Sequence, residues 1–190
     1  MNFNPETTCD ELENSARFLR ENYEEASTFY YFYSKMGIYE GTKIYDKYAN
    51  TGLDYRILNE NYLYNFYDKT TANIPPILEL VADHTWIIDF LHFEATQLIY
   101  MNQLMGTSVG KKYTDIRKKL NDQNYEFFMN AVNLARNKGS QAAIYDLVDD
   151  FKAKVNRSIA EYKQLIPQIV SQSKYIIREP LEYVDAIDID

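Results

Sequence analysis

The sequence predicts an all-α protein, a helical bundle of four long helices and two short ones with an extended acidic C-terminal tail. Three observations carry this. Apolar residues recur at alternating intervals of three and four over long stretches, the signature of one face of a helix. Only 6 Gly and 5 Pro interrupt 190 residues, so the elements are long. No stretch alternates apolar and polar residues between turn signals, as half-buried strands do. Residues 1–179 are expected to form one bundle domain, and 180–190 a tail or docking arm.

Thr8-Cys9-Asp10-Glu11 reads as a capping box. The seam Leu12, Ala16, Leu19, Tyr23, Ala26, Tyr30 and Tyr33 then predicts a first helix over Thr8–Met36, ended by Gly37 and Gly41. A short helix is expected over Gly41–Tyr48. A second, capped by Asp54, would put Tyr55, Leu58, Tyr62 and Phe66 on one face. The run Thr70–Pro76 breaks the chain. From Pro76 to Met105, Ile77, Leu80, His84, Ile87, Leu91, Glu94, Leu98 and Met101 form a seam, and Val81, Trp86, Phe90 and Phe93 leave little polar surface beside it. A helix apolar almost all round is expected at the centre of the fold, surrounded by others. A further helix runs from about Tyr113 to Asn137 and stops at Lys138-Gly139. Ser140 caps the last, which carries Ile144, Val148, Phe151, Val155, Tyr162, Leu165 and Ile169 inward. Pro167 inside it is expected to kink it near Lys163.

Charge excludes some functions. The net charge is −8, yet residues 1–25 and 179–190 each hold −5, so the body between them sums to +2. Direct nucleic-acid binding is disfavoured, because counterion release needs clustered Lys and Arg. No apolar stretch is long enough for a membrane span, and the first residues carry no secretory pattern. The expected location is therefore cytoplasmic or intravirion. A single Cys9 rules out an internal disulfide and a Cys-based zinc site.

Convergent chemistry is sparse. His84 and His92 lie about 12 Å apart along one helix and cannot share a metal. Asp89 and His92, at i,i+3, could touch, and with Glu94 they form an alternative metal or small-ligand site. A helix-face hydrogen bond is the plainer account of the pair, and one D-x-x-H is not the paired E-x-x-H set of di-iron bundles. Gly106–Lys112 lacks the spacing of a phosphate loop, and no nucleophile elbow is present. No enzymatic role and no cofactor are expected.

Surfaces are more informative. The chain holds 18 Tyr, and Tyr30, Tyr31, Tyr33, Tyr39, Tyr48, Tyr55 and Tyr62 all fall between residues 30 and 67. One helix face cannot bury them all, and Tyr is enriched where chains meet, so these seven form an expected interaction surface. Lys111, Lys112, Arg117, Lys118 and Lys119 make one basic patch, with Lys118 and Asp122 placed to pair. The tail residues Glu182, Asp185, Asp188 and Asp190 could meet that patch on a neighbouring copy. Abundant Tyr, Ile, Asn, Lys and Phe fit AT-rich coding, which low-GC bacteria and their phages share. The sequence thus points to a structural or assembly protein, an oligomeric helical subunit of a larger complex such as a phage virion neck or head-to-tail connector. The expected partners are other protein chains. A small acidic inhibitor of a host or defence protein is the other protein-binding alternative.

Overall fold

The computed structural model describes residues 3–22, 28–34, 36, 38–39, 41–49, 55–58, 61–64 and 66–175. Six α-helices lie among them: α1 (Cys9–Glu21), α2 (Tyr30–Tyr33), α3 (Lys43–Ala49), α4 (Ile74–Met101), α5 (Ser108–Arg136) and α6 (Gln141–Gln172). The all-α bundle is present, and four of the helices are long.

The capping box forms as the sequence requires. Thr8 accepts the Glu11 amide, and Glu11 reaches back to the Thr8 amide at 2.9 Å. The helix stops much earlier than its seam suggests, however. At Asn22 both the backbone amide and the side-chain amide turn back onto the Phe18 carbonyl, closing α1 after Glu21. Among the described residues the next helix is α2, from Tyr30. Phe29 and Phe32 are buried there, while Tyr30, which the seam placed inward, is exposed.

A second correction falls on the helix expected from Asp54. Tyr55–Leu58 (β1) and Asn61–Tyr64 (β2) form an antiparallel hairpin with Tyr55 opposite Tyr64 and Ile57 opposite Tyr62. Tyr, Ile and Leu suit a pleated surface, and only two residues, Asn59 and Glu60, separate the strands. The spacing of 55, 58, 62 and 66 matched a helix by coincidence with this two-residue connection.

The three longest helices pack on one another. Both α4 and α5 lie along α6, and α1 packs across α5. Connections of six and four residues fold α4, α5 and α6 back on one another. Helices α4 and α5 each stop in a Schellman turn. Gln103 and Lys138 adopt positive φ (55° and 50°), while the Leu104 amide returns to the Ile99 carbonyl and the Gly139 amide to the Leu134 carbonyl. The left-handed residue of the second turn is Lys138, within the expected Lys138-Gly139 stop. Helix α6 continues through Pro167 to Gln172.

The core follows the predicted seams in α6, where Val148, Phe151, Val155, Tyr162, Leu165 and Ile169 are buried. Its aromatic heart joins α5, α6 and the turn into α2. Phe127 of α5 stacks on Phe151 of α6 at 4.2 Å, and Phe29, just before α2, lies 5.8 and 5.5 Å from the two. Phe3 is fully buried against Phe66 and Phe128, and its backbone pairs with Ser34 and Met36. Ion pairs bind α1 to α5: Arg136 to Asp10 and Glu13, and Arg20 to Asp122 at 2.9 Å.

Candidate interaction surface

Helix α4 begins on Ile74-Pro75-Pro76, where missing amide donors cost nothing because first-turn amides have no helical partner. Its 28 residues span about 42 Å. Ile77, Leu78, Val81, Ile88, Leu91, Ala95 and Leu98 face the bundle. The opposite side carries a second seam at three–four spacing, Glu79, Asp83, Trp86, Phe90, Phe93, Gln97 and Tyr100. Trp86 is 65 % exposed, Phe93 54 %, Tyr100 53 % and the adjoining Met101 48 %. Trp86 and Phe90 stack at 6.0 Å. The expectation that other helices surround this one is therefore wrong on this side. A helix apolar all round need not be central; here it has one face in the core and one at the surface.

Charge along this face is graded. The residues of α4 include Glu79, Asp83, Asp89 and Glu94 and not one Lys or Arg. Glu79 and Asp83 are exposed at its N-terminal end, whereas its last seven residues, from Ala95 on, carry no charge. Tyr33 sits half-buried beside that acidic end, and burial together with Glu79 and Asp83 pushes its hydroxyl pKa up.

Asp89 flanks the stripe, at helical spacings of three from Trp86 and four from Phe93. Its carboxylate accepts the Phe29 amide at 3.1 Å and so holds the turn into α2 against α4. Burial raises its pKa to about 6, against the pull of the Phe29 and Tyr30 amides. This contact seats α2, whose Tyr30 and Tyr31 are exposed, on α4.

His92 has a different environment. Its Nδ1 lies 2.8 Å from the Tyr162 hydroxyl, and its ring is parallel to that of Tyr113 at 5.9 Å. Thr96 donates to the His92 carbonyl and lies 2.7 Å from the Tyr113 hydroxyl, to which Arg117 also points at 3.5 Å. Burial and the nearby guanidinium push the imidazole down to about 4, so it is neutral at physiological pH. Burial lifts the Tyr162 hydroxyl well above its usual range. This buried hydrogen-bond chain ties α4 to α5 and α6 and holds a neutral imidazole near the Arg117 guanidinium.

The alternative metal site therefore does not assemble. Asp89 serves the α2 turn, His92 serves Tyr162, and Glu94 is half-buried on another side of the helix. Among the described residues no three His, Cys, Asp or Glu side chains gather to hold a metal ion.

The tyrosine group divides. Tyr30, Tyr31 and Tyr39 are exposed and Tyr33 is half-buried, but Tyr48 is only 3 % exposed, beneath the Lys47 ammonium at 5.1 Å. Tyr48 is thus a core residue of the α3 region. Tyr55 and Tyr62 belong to the hairpin strands, and their side chains lie outside the described residues.

The basic patch loses a member. Lys111, Lys112 and Lys118 are exposed, and Lys119 pairs with Glu161 at 2.5 Å. Arg117 is 2 % exposed and faces the core. At 100° per residue the four lysines fall within an arc of about 120°, and Arg117 points away from it. Asp122 pairs with Arg20 of α1 in place of the expected Lys118. The tail residues Glu182, Asp185, Asp188 and Asp190 lie outside the described residues.

An open apolar groove of about 540 Å³ lies between the start of α4 and the α5–α6 turn, lined by Pro76, Ile77, Leu80, Ile144 and Tyr145. Among the described residues no helix is long and apolar enough to cross a membrane. Comparison with protein-family models finds no match, and comparisons with curated proteins and with solved structures find none.

Proposed function

We propose that the protein is a non-enzymatic helical assembly subunit, which docks the exposed face of α4 onto other protein chains in a larger complex. Connector or neck rings of phage virions are the kind of assembly that such a subunit would serve. The exposed seam Trp86, Phe93 and Tyr100 supports this reading. Three large aromatic rings at coiled-coil spacing, about half or more in water, lose substantial free energy by staying uncovered. Trp and Tyr are the residues that most often dominate binding energy when covered. Tyr30 and Tyr31 are exposed on α2, which is seated on α4.

Phe93→Glu tests it. Because Phe93 is largely outside the core, this variant should keep the helical circular dichroism of the native chain. In extracts of cells that make the protein, the native chain should sediment well above its 22.4 kDa monomer, and Phe93→Glu should return to the monomer position. A native chain that sediments as the monomer contradicts the reading, as does a variant that sediments with the native chain.

A further inference from the structure

Resting on that reading, we propose that the occupant of the α4 face is a second copy of this chain, paired antiparallel about a two-fold axis between Phe90 and Phe93.

The seam is complementary to itself in one orientation only. Antiparallel helices at heptad spacing place each residue of one kind of seam position opposite the other kind. Centred between Phe90 and Phe93, this puts Phe90 of one copy opposite Phe93 of the other, twice, as a central aromatic cluster. Trp86 then meets Gln97 of the second copy, whose amide oxygen can accept the indole N–H. Asp83 meets Tyr100, whose hydroxyl lies beside Arg117 of its own copy and keeps a proton to donate to the carboxylate. Glu79 falls past the end of the opposing helix, which stops at Met101. Asp83 of one copy thus faces the uncharged C-terminal end of the other helix, and Glu79 lies beyond it. Parallel pairing would instead set Asp83 against Asp83 and Glu79 against Glu79, two like-charge contacts at an apolar interface.

Area is sufficient for a reversible dimer. The exposed parts of Trp86, Phe93, Tyr100 and Met101 amount to roughly 500 Å² per copy, or about 1,000 Å² for the pair. That sits at the lower limit for specific interfaces. An interface of that size fits a reversible pair and not an obligate dimer. A basic amphipathic helix from another protein would also suit the acidic end, but it would leave the uncharged end without a matching partner.

Light scattering of the purified full chain, from sub-micromolar to near-millimolar concentration, tests the pairing. The mass should rise from 22.4 kDa to twice that value, and Phe93→Glu should hold it at the monomer throughout. Orientation is read by oxidative cross-linking in chains whose buried Cys9 is replaced by Ala. Asp83→Cys mixed with Tyr100→Cys should give cross-linked dimer, and Asp83→Cys alone should give little. A native chain that stays monomeric, a Phe93→Glu chain that still doubles in mass, or Asp83→Cys linking chiefly to itself would overturn the proposal. If the purified chain is monomeric while the extract holds it in a larger particle that Phe93→Glu abolishes, the second copy is wrong and the docking face stands.

Discussion

Phe29→Ala is expected to destabilise the fold by about 3–5 kcal/mol, the largest effect of any single substitution considered. Phe29 is 1 % exposed and packs against the stacked Phe127–Phe151 pair, so its removal opens a cavity where α5 and α6 meet. It is also the residue whose amide Asp89 accepts, so the same side chain anchors α2 from one side while its backbone is held from the other. Truncation should therefore do two things. The urea midpoint should fall, and amide exchange over residues 28–34 should rise more than exchange over α6. Loss of stability without that local increase would mean that Asp89 alone fixes the turn.

Asp89→Asn should stabilise the protein at pH 7.5, by about 1–3 kcal/mol, although it removes a charge that accepts a hydrogen bond. A carboxyl lifted from 3.8 to about 6 is more easily protonated folded than unfolded, so ionising it costs the native state about 3 kcal/mol by pH 7. Stability from this group is full below pH 3.8 and is lost as pH rises through 6. Asn keeps an oxygen for the Phe29 amide without carrying charge. His92 works in the opposite sense. Held at about 4, it takes a proton in the unfolded chain first, so stability from this group rises with pH between about 4 and 6.5. In the native protein the two slopes oppose and largely cancel between pH 4 and 6. Asp89→Asn removes one of them, and melting temperature in the variant should climb across that window while the native value stays nearly level. A native-like flat profile in the variant would show that Asp89 is not the group titrating there.

The bundle was legible because its strongest signals were of the kind that tertiary packing seldom overrides. The capping box at Thr8, the Ser140 cap and the inward seam of α6 are local chemistry and long periodicity, and each is found where the residues place it. The failures share a cause. A three–four spacing reports which residues are apolar, not whether the backbone between them is continuous. The Leu12–Tyr33 seam therefore gave no sign that Asn22 closes α1, nor that Asp89, some sixty residues on, captures the Phe29 amide. The same spacing hid the hairpin at Tyr55–Tyr64, where aromatic and β-branched content with a two-residue connection was the signal to weigh.

The candidate surface was half legible. Tyrosine density points to Tyr30 and Tyr31 but not to α4, whose second seam reads as core because both faces of the helix are apolar. Acids at Glu79 and Asp83, spaced on that seam, were the available clue that one face meets water. Counting basic residues along the chain instead of around the helix put Arg117 on the surface, when a turn of 100° per residue carries it inward.

Trp86 is the only tryptophan in the chain, and it stands on the face in question, so its accessibility reports directly on the central claim. Acrylamide quenching of its fluorescence should be efficient in the dilute, isolated chain and several-fold weaker once the chain is in its working assembly. Equal quenching in both states would mean that the α4 face stays in water, and that the protein does not act by covering it with another chain.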